Sequence, residues 1–422
     1  MGTIGVLSAI AMINGVDLSI LPAVSSRIQA DFGLTDFEIG ILGGAYVVVY
    51  AIAVIPFGAW ADSGVRGRVV GFGVALWSLA TALGAFTQNF TQLLLARGGV
   101  GFGEASYLPA GNSLVGDLYP REQRARALSY INGAFRVGIS LGLLGGAALA
   151  AALGWRAAFL IAAVPGFILG AIALGIPEPD RGGAEATPET LRATSDYDWK
   201  AFRELLGTPT LRFVVVAVTF CLFVTQGAGF WLPLYVQHRF GLGLVQTGAV
   251  VGLPLLVGGL IGTFGGGWVG DRRGERSPRG HLEVTIASLL AGAASLAVVY
   301  SATSVPLLAT AWFFASIFLT VWIPVLQAQI LAVVIPVMRA SGLTLALLVG
   351  NLFGNALAPP VIGGLSAATG SLGRALLLVV PGLAVVAAIS LVPALGTVEA
   401  DVRRMEERWQ ARLKAAFAAN AQ

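Results

Sequence analysis

The sequence predicts an all-α integral membrane protein, with twelve transmembrane helices in two pseudo-symmetric six-helix bundles. Three observations lead to this fold class. Of the 422 residues, 56% are hydrophobic and only 11% are charged, whereas a soluble domain has about 25% charged residues. About twelve apolar runs reach the roughly 20 residues that a helix needs to cross a bilayer. A signal at the end of the second run recurs at the end of the eighth, which indicates two repeats.

Gly, Pro or charged residues bound each apolar run and so mark the predicted helix ends. The first six spans are predicted near 5–25, 36–57, 67–87, 90–112, 126–150 and 155–176. The last six are predicted near 210–236, 244–269, 281–301, 305–334, 341–367 and 373–396. The chain therefore divides into an N-terminal bundle over 1–177, a polar cytoplasmic linker over 178–209, a C-terminal bundle over 210–397 and a tail over 398–422.

The tail carries charged residues with apolar residues at helical spacing between them. These apolar residues share one face: Val402, Met405, Trp409, Leu413 and Phe417. The pattern predicts an amphipathic helix on the cytoplasmic surface of the membrane. Packing of the same face against the bundle is the alternative, and the pattern does not distinguish the two.

The 26 Lys and Arg residues are distributed unevenly between the two sides of the membrane. Predicted outer loops hold only Arg27, Arg156, Arg239 and Arg374, whereas most of the others fall in the predicted inner loops and the tail. This imbalance predicts cytoplasmic termini. The net charge of +4 therefore reflects topology and does not indicate a nucleic-acid partner. Arginine far exceeds lysine and the loops are short, which favours a bacterial inner (plasma) membrane.

Three ionisable residues are predicted at mid-membrane depth: Asp17 in the first span, and Arg97 and Glu104 in the fourth. Each costs about 2.5–3.5 kcal/mol at the centre of an inserted helix, so such residues face the bundle interior, a partner charge or a watery cavity. Seven residues return Glu104 to within about 20° of Arg97 on one helix face. Asp17 and Glu104 are candidate proton-coupling residues, and the Arg97 guanidinium suits an anionic headgroup. A static ion-pair network that only orders the helices is the alternative.

Three further polar residues are candidate substrate ligands. Arg136 either faces a cavity and binds a headgroup or extends along its stem toward the membrane surface. Asn351 and Asn355 lie one turn apart on the eleventh span and either line the C-terminal half of a cavity or form interhelical hydrogen bonds.

The repeated signal lies in the loop after the second span of each half. It comprises Gly58, Asp62, Arg66 and Arg68 in the first half and Gly267, Asp271, Arg272 and Arg273 in the second. The glycine would let the helix end approach a neighbour, and the aspartate could cap a helix or pair with arginines. We interpret the two sets as a conformational latch between the halves; ordinary basic flanking of spans is the alternative.

These motifs resemble those of the major facilitator superfamily over essentially the whole chain. The loop after the second span is similar to the family pattern G-x-x-x-D-x-x-G-R-[KR], but Ser63 and Val65 depart from it. Arg97 with Gly101 and Gly103 resembles the fourth-helix R-x-x-x-G pattern. The antiporter pattern of the fifth helix is incomplete, so the direction of coupling cannot be taken from it.

Within the superfamily the chain resembles the Spinster group of lysolipid and sphingosine-1-phosphate transporters. The residues that carry this resemblance are Asp17, Arg97, Gly103 to Tyr107, Asp117 to Pro120, and Gln123 to Arg126. The resemblance implies a cluster of Asp17, Arg97 and Glu104 that responds to protons and substrate.

The expected function is proton-coupled transport of an amphiphilic anionic lipid by alternating access, with a carrier of drugs or small organic anions as the alternative. The expected partners are this substrate, protons and the bilayer, and the protein is expected to be a monomer. An enzyme is disfavoured because the H-E-x-x-H motif is absent, and no P-loop, cofactor or metal site is predicted.

Overall fold

We describe the protein from a computed structural model, which covers residues 2–119, 121–179 and 205–420. Within these ranges the chain is almost entirely helical and no strand occurs, which confirms the all-α class. The helices are α1 (Thr3–Phe32), α2 (Asp36–Ser63), α3 (Arg66–Gly84), α4 (Phe90–Glu104), α5 (Tyr107–Leu118), α6 (Arg121–Leu153), α7 (Trp155–Leu174), α8 (Pro209–Phe240), α9 (Leu244–Gly274), α10 (Gly280–Ser301), α11 (Val305–Val333), α12 (Arg339–Gly350), α13 (Ala358–Thr369) and α14 (Leu372–Asn420).

Eleven helical stretches of the described chain are long and apolar enough to cross a membrane. The fourth predicted span, 90–112, is not among them because it is broken into α4 and α5 by a turn at residues 105–106. At this turn the Ser106 hydroxyl donates to the Gly103 carbonyl at 2.8 Å. Such a local side-chain bond competes with the regular helical hydrogen bonds. The spans number eleven or twelve according to whether the broken pair is counted as one crossing.

Two other predicted spans differ from the observed helices. The span predicted at 341–367 is interrupted by a π-helix at Asn351–Asn355, which separates α12 from α13. The span predicted at 373–396 does not end before the tail but continues through it as the single helix α14. Most of the predicted linker, residues 180–204, lies outside the described residues.

Contacts between the helices divide the chain into two compact units. Unit 1 contains α1 to α7 together with Gln226–Leu256 and Asn355–Leu376, and unit 2 contains the other described residues. The division into bundles at 1–177 and 210–397 remains a proposal, because these contact units do not test it.

Glycines allow α1 and α6 to pack closely within unit 1. A side chain at Gly15 would overlap the backbone of Phe135 on α6, and a side chain at Gly138 would overlap the carbonyl of Met12 on α1. Small residues at such crossings let membrane helices approach each other closely. This contact fixes α1, and Asp17 with it, against the N-terminal bundle.

We expect Gly138→Ala to lower the thermal unfolding midpoint of the purified protein, with a cost of about 1–3 kcal/mol for overpacking. Gly145 on the same helix is the matched control, because a methyl group there meets no heavy atom within 4 Å. Gly145→Ala should leave the midpoint unchanged or raise it slightly. Equal midpoints for the two variants, measured in one detergent, would contradict the close contact at Gly138.

The turns of the N-terminal helices define two ends of unit 1, which we call the Gly33 end and the Gly64 end. At the Gly33 end, α2 packs against α13, where Ser366 donates to the Asp36 carboxylate at 2.5 Å. Ser26 on α1 donates to Gln237 on α8, also at 2.5 Å. The segments from 226–256 and 355–376 therefore join unit 1 through polar as well as apolar contacts.

In unit 2 the start of the tail packs against the helices. Asp401 is 3% exposed; its carboxylate accepts from the Thr210 backbone N–H at 2.8 Å and from Arg404 at 2.7 Å. Thr210 lies in the first turn of α8, whose free N–H groups favour a negative charge. Val402 and Met405 pack on the core of unit 2. Up to Met405 the tail therefore packs against the helices of unit 2, which is the second of the two alternatives for it.

Candidate functional site

Asp17 occupies the middle of α1 and is 3% exposed. The Thr81 hydroxyl on α3 donates to its Oδ1 atom at 2.6 Å. The Arg97 Nη1 atom on α4 lies 3.5 Å from its Oδ2 atom. The carboxylate thus has both a hydrogen-bond donor and a cationic partner, the arrangement that makes a buried carboxylate tolerable inside apolar helices.

Arg97 is 2% exposed and links α4 to two other helices. Besides its ion pair with Asp17 on α1, its guanidinium lies over the Tyr46 ring of α2, 5.4 Å from the centroid. Such a position allows a cation–π interaction. The Arg97 Nε atom is buried and has no hydrogen-bond partner among the described residues. A donor of the fork therefore remains available for another acceptor.

Glu104 ends α4 and is 2% exposed. The Tyr46 hydroxyl bonds to its Oε2 atom at 2.5 Å, and the Asn14 side chain also interacts with the carboxylate. Its Oε1 atom is buried without a well-aligned hydrogen-bond partner in the described part of the chain. One oxygen of the Glu104 carboxylate thus lacks an aligned donor, whereas both oxygens of Asp17 have a partner. Arg97 forms its ion pair with Asp17 and not with Glu104.

The contact between α2 and α4 places Tyr46 between Arg97 and Glu104. A side chain at Gly101 would overlap the carbonyl of Tyr46, so only glycine allows this approach. Gly103 makes a similar close contact with the Trp77 backbone of α3. The glycines of the fourth predicted span therefore bring three helices together around the charges.

The cluster of Asp17, Tyr46, Arg97 and Glu104 holds two carboxylic acids, one guanidinium and one phenol. Two acidic groups share one fixed positive charge, so the charges of the cluster balance when one of the two acids is protonated. Loss of the pair with Asp17 would free the guanidinium to bind an anionic group in two-point fashion. Tyr46 and Thr81 were not predicted as members of this site.

Arg136 lies on α6 and is half-buried. It is one turn before Ser140, on a face whose residues Ser140 and Leu143 approach Gly252 of α9. Within the described residues Arg136 has no ion pair or hydrogen bond. The structure does not bring it into contact with Asp17, Arg97 or Glu104.

Asn351 and Asn355 lie at the two ends of the π-helix between α12 and α13. The Asn351 amide donates to the Leu347 carbonyl of its own helix at 2.8 Å. π-Helical turns are frequent at functional positions. Their role as substrate ligands stays a prediction.

Arg66, predicted as part of a latch between halves, is fully buried and makes its described bonds within unit 1. Its guanidinium contacts the carboxylate of Asp117, and its Nε atom lies 2.7 Å from Oε1 of Glu178. It also donates to the Ser113 hydroxyl at 2.9 Å and to the Pro179 carbonyl at 3.2 Å. Arg66 thus joins the beginning of α3 to α5 and to the segment after α7.

The other residues of the first predicted latch sit differently. Asp62 and Arg68 are exposed at the Gly64 end. Gly58 was expected to let the helix end approach a neighbouring helix. This expectation is wrong, because a Cβ atom at Gly58 would meet nothing within 4 Å. Gly58 therefore does not allow the close approach of a neighbouring helix.

The second set lies at the end of α9. A Cβ atom at Gly267 would lie 3.8 Å from Pro324, which is ordinary contact. Asp271, Arg272 and Arg273 are exposed, and the Arg272 guanidinium lies over the Trp268 ring, 5.1 Å from its centroid. A latch function of either set remains a prediction.

A buried cluster of ionisable side chains within a bundle of apolar, membrane-spanning helices is typical of a membrane transporter. Residues 7–281 match the family model of the Major Facilitator Superfamily, and the chain belongs to this family. The family confirms a transporter rather than an enzyme. It also confirms an integral, multi-pass membrane protein that binds a small substrate.

Similar proteins carry several transporter names. An "MFS-type efflux pump" of Mycolicibacterium smegmatis is 31% identical over 92% of this chain and 90% of its own length. "Protein spinster homolog 1" of Xenopus tropicalis is 29% identical over 86% of this chain and 72% of its own length. A "Probable L-galactonate transporter" of Escherichia coli is 29% identical over 62% of this chain and 59% of its own length. The match to the Spinster homolog confirms the resemblance to the Spinster group.

A solved structure shows the same fold. A bacterial homolog of the human lysosomal transporter Spinster, in an inward-facing and unoccupied conformation, matches with a TM-score of 0.80 and 24% identity. The match covers 96% of this chain and 97% of the other. The predicted fold of two six-helix bundles is thereby confirmed.

Proposed function

We propose that this chain is a proton-coupled secondary transporter that moves an amphiphilic anionic lipid, such as a lysophospholipid or a sphingosine phosphate, by alternating access. The buried cluster is the observation that carries this proposal. Arg97 is the cation in it, paired with Asp17, while Glu104 is held through Tyr46. The resemblance of the chain to the Spinster group supports a lipid as the substrate.

Glu104 and Asp17 share the proton-coupling role in this proposal. Glu104 takes up the proton first, because among the described residues no cation forms an ion pair with its carboxylate, whereas Arg97 pairs with Asp17. A neutral Glu104 leaves Asp17 and Arg97 as one balanced pair. Protonation of Asp17 then frees the guanidinium for an anionic headgroup, and substrate replaces the carboxylate as its partner.

The remaining candidate residues have supporting roles in the same proposal. Arg136 is a second headgroup ligand, because it has no ion-pair partner among the described residues. Asn351 and Asn355 bind the substrate from the C-terminal half, where a π-helix offers an irregular backbone. The latch comprises Asp62, Arg68, Gly267, Asp271, Arg272 and Arg273. Gly58 and Arg66 belong to the same loop signal, but a Cβ atom at Gly58 would meet nothing within 4 Å, and Arg66 makes its described bonds within unit 1.

We place the protein as a monomer in a bacterial inner membrane with both termini in the cytoplasm. The uneven distribution of basic residues supports this orientation. Exposed Arg68, Asp62 and Arg272 would then lie on the cytoplasmic side.

A proton-coupled carrier of drugs or small organic anions is the second candidate. The similarity to an efflux pump at 31% identity over 92% of this chain favours it. The same cluster would serve either substrate, since a guanidinium binds carboxylates and phosphates alike. The two candidates differ in the substrate and not in the coupling.

The test is uptake of a fluorescent lysophospholipid into proteoliposomes under an imposed pH gradient. We expect the parent protein to transport with the gradient and Glu104→Gln to lose gradient dependence, because the amide cannot exchange a proton at neutral pH. Glu283→Gln, at an exposed position on α10, is the matched control and should transport like the parent.

One result would contradict the coupling that both candidates share, and another would separate the two candidates. Uptake that ignores the gradient in the parent would contradict proton coupling. Absence of lysophospholipid uptake in a folded parent protein, with gradient-driven uptake of a small organic anion, would replace the lipid with the second substrate class.

A further inference from the structure

A groove of about 560 Å³ runs along the outer surface of unit 1 between α3 and α4. On each helix the lining residues recur at i, i+3, i+4 and i+7 and therefore share one face. They are Leu76, Leu79, Ala80 and Leu83 on α3, and Gln92, Leu95, Ala96 and Gly99 on α4. These faces span about 10 Å along the helix axis. The groove is separate from the charged cluster, because Thr81 and Arg97, the neighbours of Ala80 and Ala96, are buried on the opposite side.

The groove has tall apolar walls and a floor of small residues. Leu79, Leu83 and Leu95 form the walls and are 47%, 53% and 72% exposed. Ala96 and Gly99 belong to the floor, and a Cβ atom at Gly99 would lie only 3.1 Å from that of Ala80. The two helices are thus in close contact at the floor of the groove, and the large side chains on either side are separated from each other. The space between these side chains is a narrow slot that fits an extended hydrocarbon chain.

The end of the groove nearest the Gly33 end is polar. Thr87 and Gln92 close it, and the Arg156 guanidinium donates to the Thr87 carbonyl at 3.1 Å. Arg156 also pairs with Asp31 at 2.5 Å and stacks on the Trp155 ring at 4.2 Å. Its side chain is 43% exposed, so donors of the fork remain accessible at the mouth of the groove.

We propose that this groove binds one acyl chain of a membrane glycerophospholipid, with the lipid phosphate beside Arg156. The groove lies on the outer surface of helices that cross the membrane, so the molecules in contact with it are lipids. Its apolar walls match a segment of a hydrocarbon chain, and close van der Waals packing of methylene groups against these walls favours binding. Arginine at the polar mouth matches a phosphate through a charge-assisted hydrogen bond. The Gln92 amide adds N–H donors at the same level, since its oxygen already accepts from the Gln88 backbone.

This lipid is distinct from a transported substrate, and the proposal does not rest on proton coupling or on the identity of the substrate. An acyl chain in the groove packs behind the α3–α4 contact that holds Thr81 and Arg97. It would therefore stabilise the helices that carry the cluster without touching the cluster.

The test uses the full protein in phosphatidylethanolamine vesicles that contain a small fraction of phosphatidylcholine with a diazirine at the end of one acyl chain. After illumination without a pH gradient, labelled peptides are mapped by mass spectrometry. We expect labelling of residues 76–99 to exceed labelling of the exposed face of α7 by about fivefold, as a modest binding preference predicts. Equal labelling of the two surfaces would overturn the proposal and show ordinary annular contact only.

Two variants of the groove and one control variant sharpen the result. Ala96→Phe fills the groove and should reduce its labelling to the level of α7, whereas Ala171→Phe, at an exposed position on α7, should not reduce it. Arg156→Gln should weaken labelling of the groove by removing the partner of the phosphate. Unchanged labelling in Ala96→Phe would overturn the proposal, and the parent comparison alone decides it if that variant fails to fold.

Discussion

Replacing Arg97 with Gln should abolish gradient-driven transport and destabilise the protein by about 3–5 kcal/mol, the usual cost of breaking a buried ion pair. Arg97 and Asp17 are 2% and 3% exposed, so the carboxylate left behind cannot be rescued by water. Among the described residues only the Thr81 hydroxyl would still donate to it. The loss would appear as a lower thermal unfolding midpoint in detergent and as absent uptake in proteoliposomes.

A double variant separates the two effects. Asp17→Asn combined with Arg97→Gln removes both charges, so we expect most of the lost stability to return. Transport should remain absent, because the buried cluster then holds no guanidinium to bind an anion. Arg374→Gln at an exposed position is the control and should change neither quantity. Parent-like transport by Arg97→Gln would contradict the proposed role of this residue.

The charged members of the cluster could be predicted because charges are costly in a membrane. That cost singles out Asp17, Arg97 and Glu104 from apolar runs and requires that they avoid lipid. The structure places them around one tyrosine, Tyr46, which contacts both Arg97 and Glu104. Hydroxyl groups carry no comparable cost at a helix surface, so Tyr46 and Thr81 could not be distinguished from other polar residues.

The fold class was predictable from hydropathy, but the helix interruptions were not. Hydropathy measures the side chains of a run and does not register which backbone hydrogen bonds form. The turn at 105–106 depends on the Ser106 side-chain bond to Gly103. The π-helix at Asn351–Asn355 adds one residue to a turn without changing the apolar pattern.

The pairing of Arg66 shows a different limit. The repeated loop signal includes this residue, but its main partners, Asp117 and Glu178, lie 51 and 112 residues further along the chain. A charge count in loops cannot select partners at that separation. Only the packing of α3 beside α5 and the end of α7 brings the three together.

Arg66→Gln should lower the stability of the protein by about 2–4 kcal/mol, because it leaves two carboxylates without their shared cation. The side chains of Asp117 and Glu178 are 17% and 28% exposed, so water offsets part of the loss. Arg66→Lys should recover little, since an ammonium cannot reproduce the fork. Arg68→Gln is the matched control because Arg68 is exposed two residues away; it should change stability by less than about 0.5 kcal/mol.

Two measurements on these variants decide what Arg66 does. The thermal unfolding midpoint reports stability, and uptake per folded molecule reports turnover. Since the bonds that the described residues show for Arg66 all lie within unit 1, we expect the thermal unfolding midpoint to fall while each folded molecule retains most of its turnover. A normal midpoint with strongly reduced turnover would instead show that Arg66 acts mainly as a latch between the halves. In that case Asp117 and Glu178 would be incidental partners, and Asp117→Asn should leave stability unchanged.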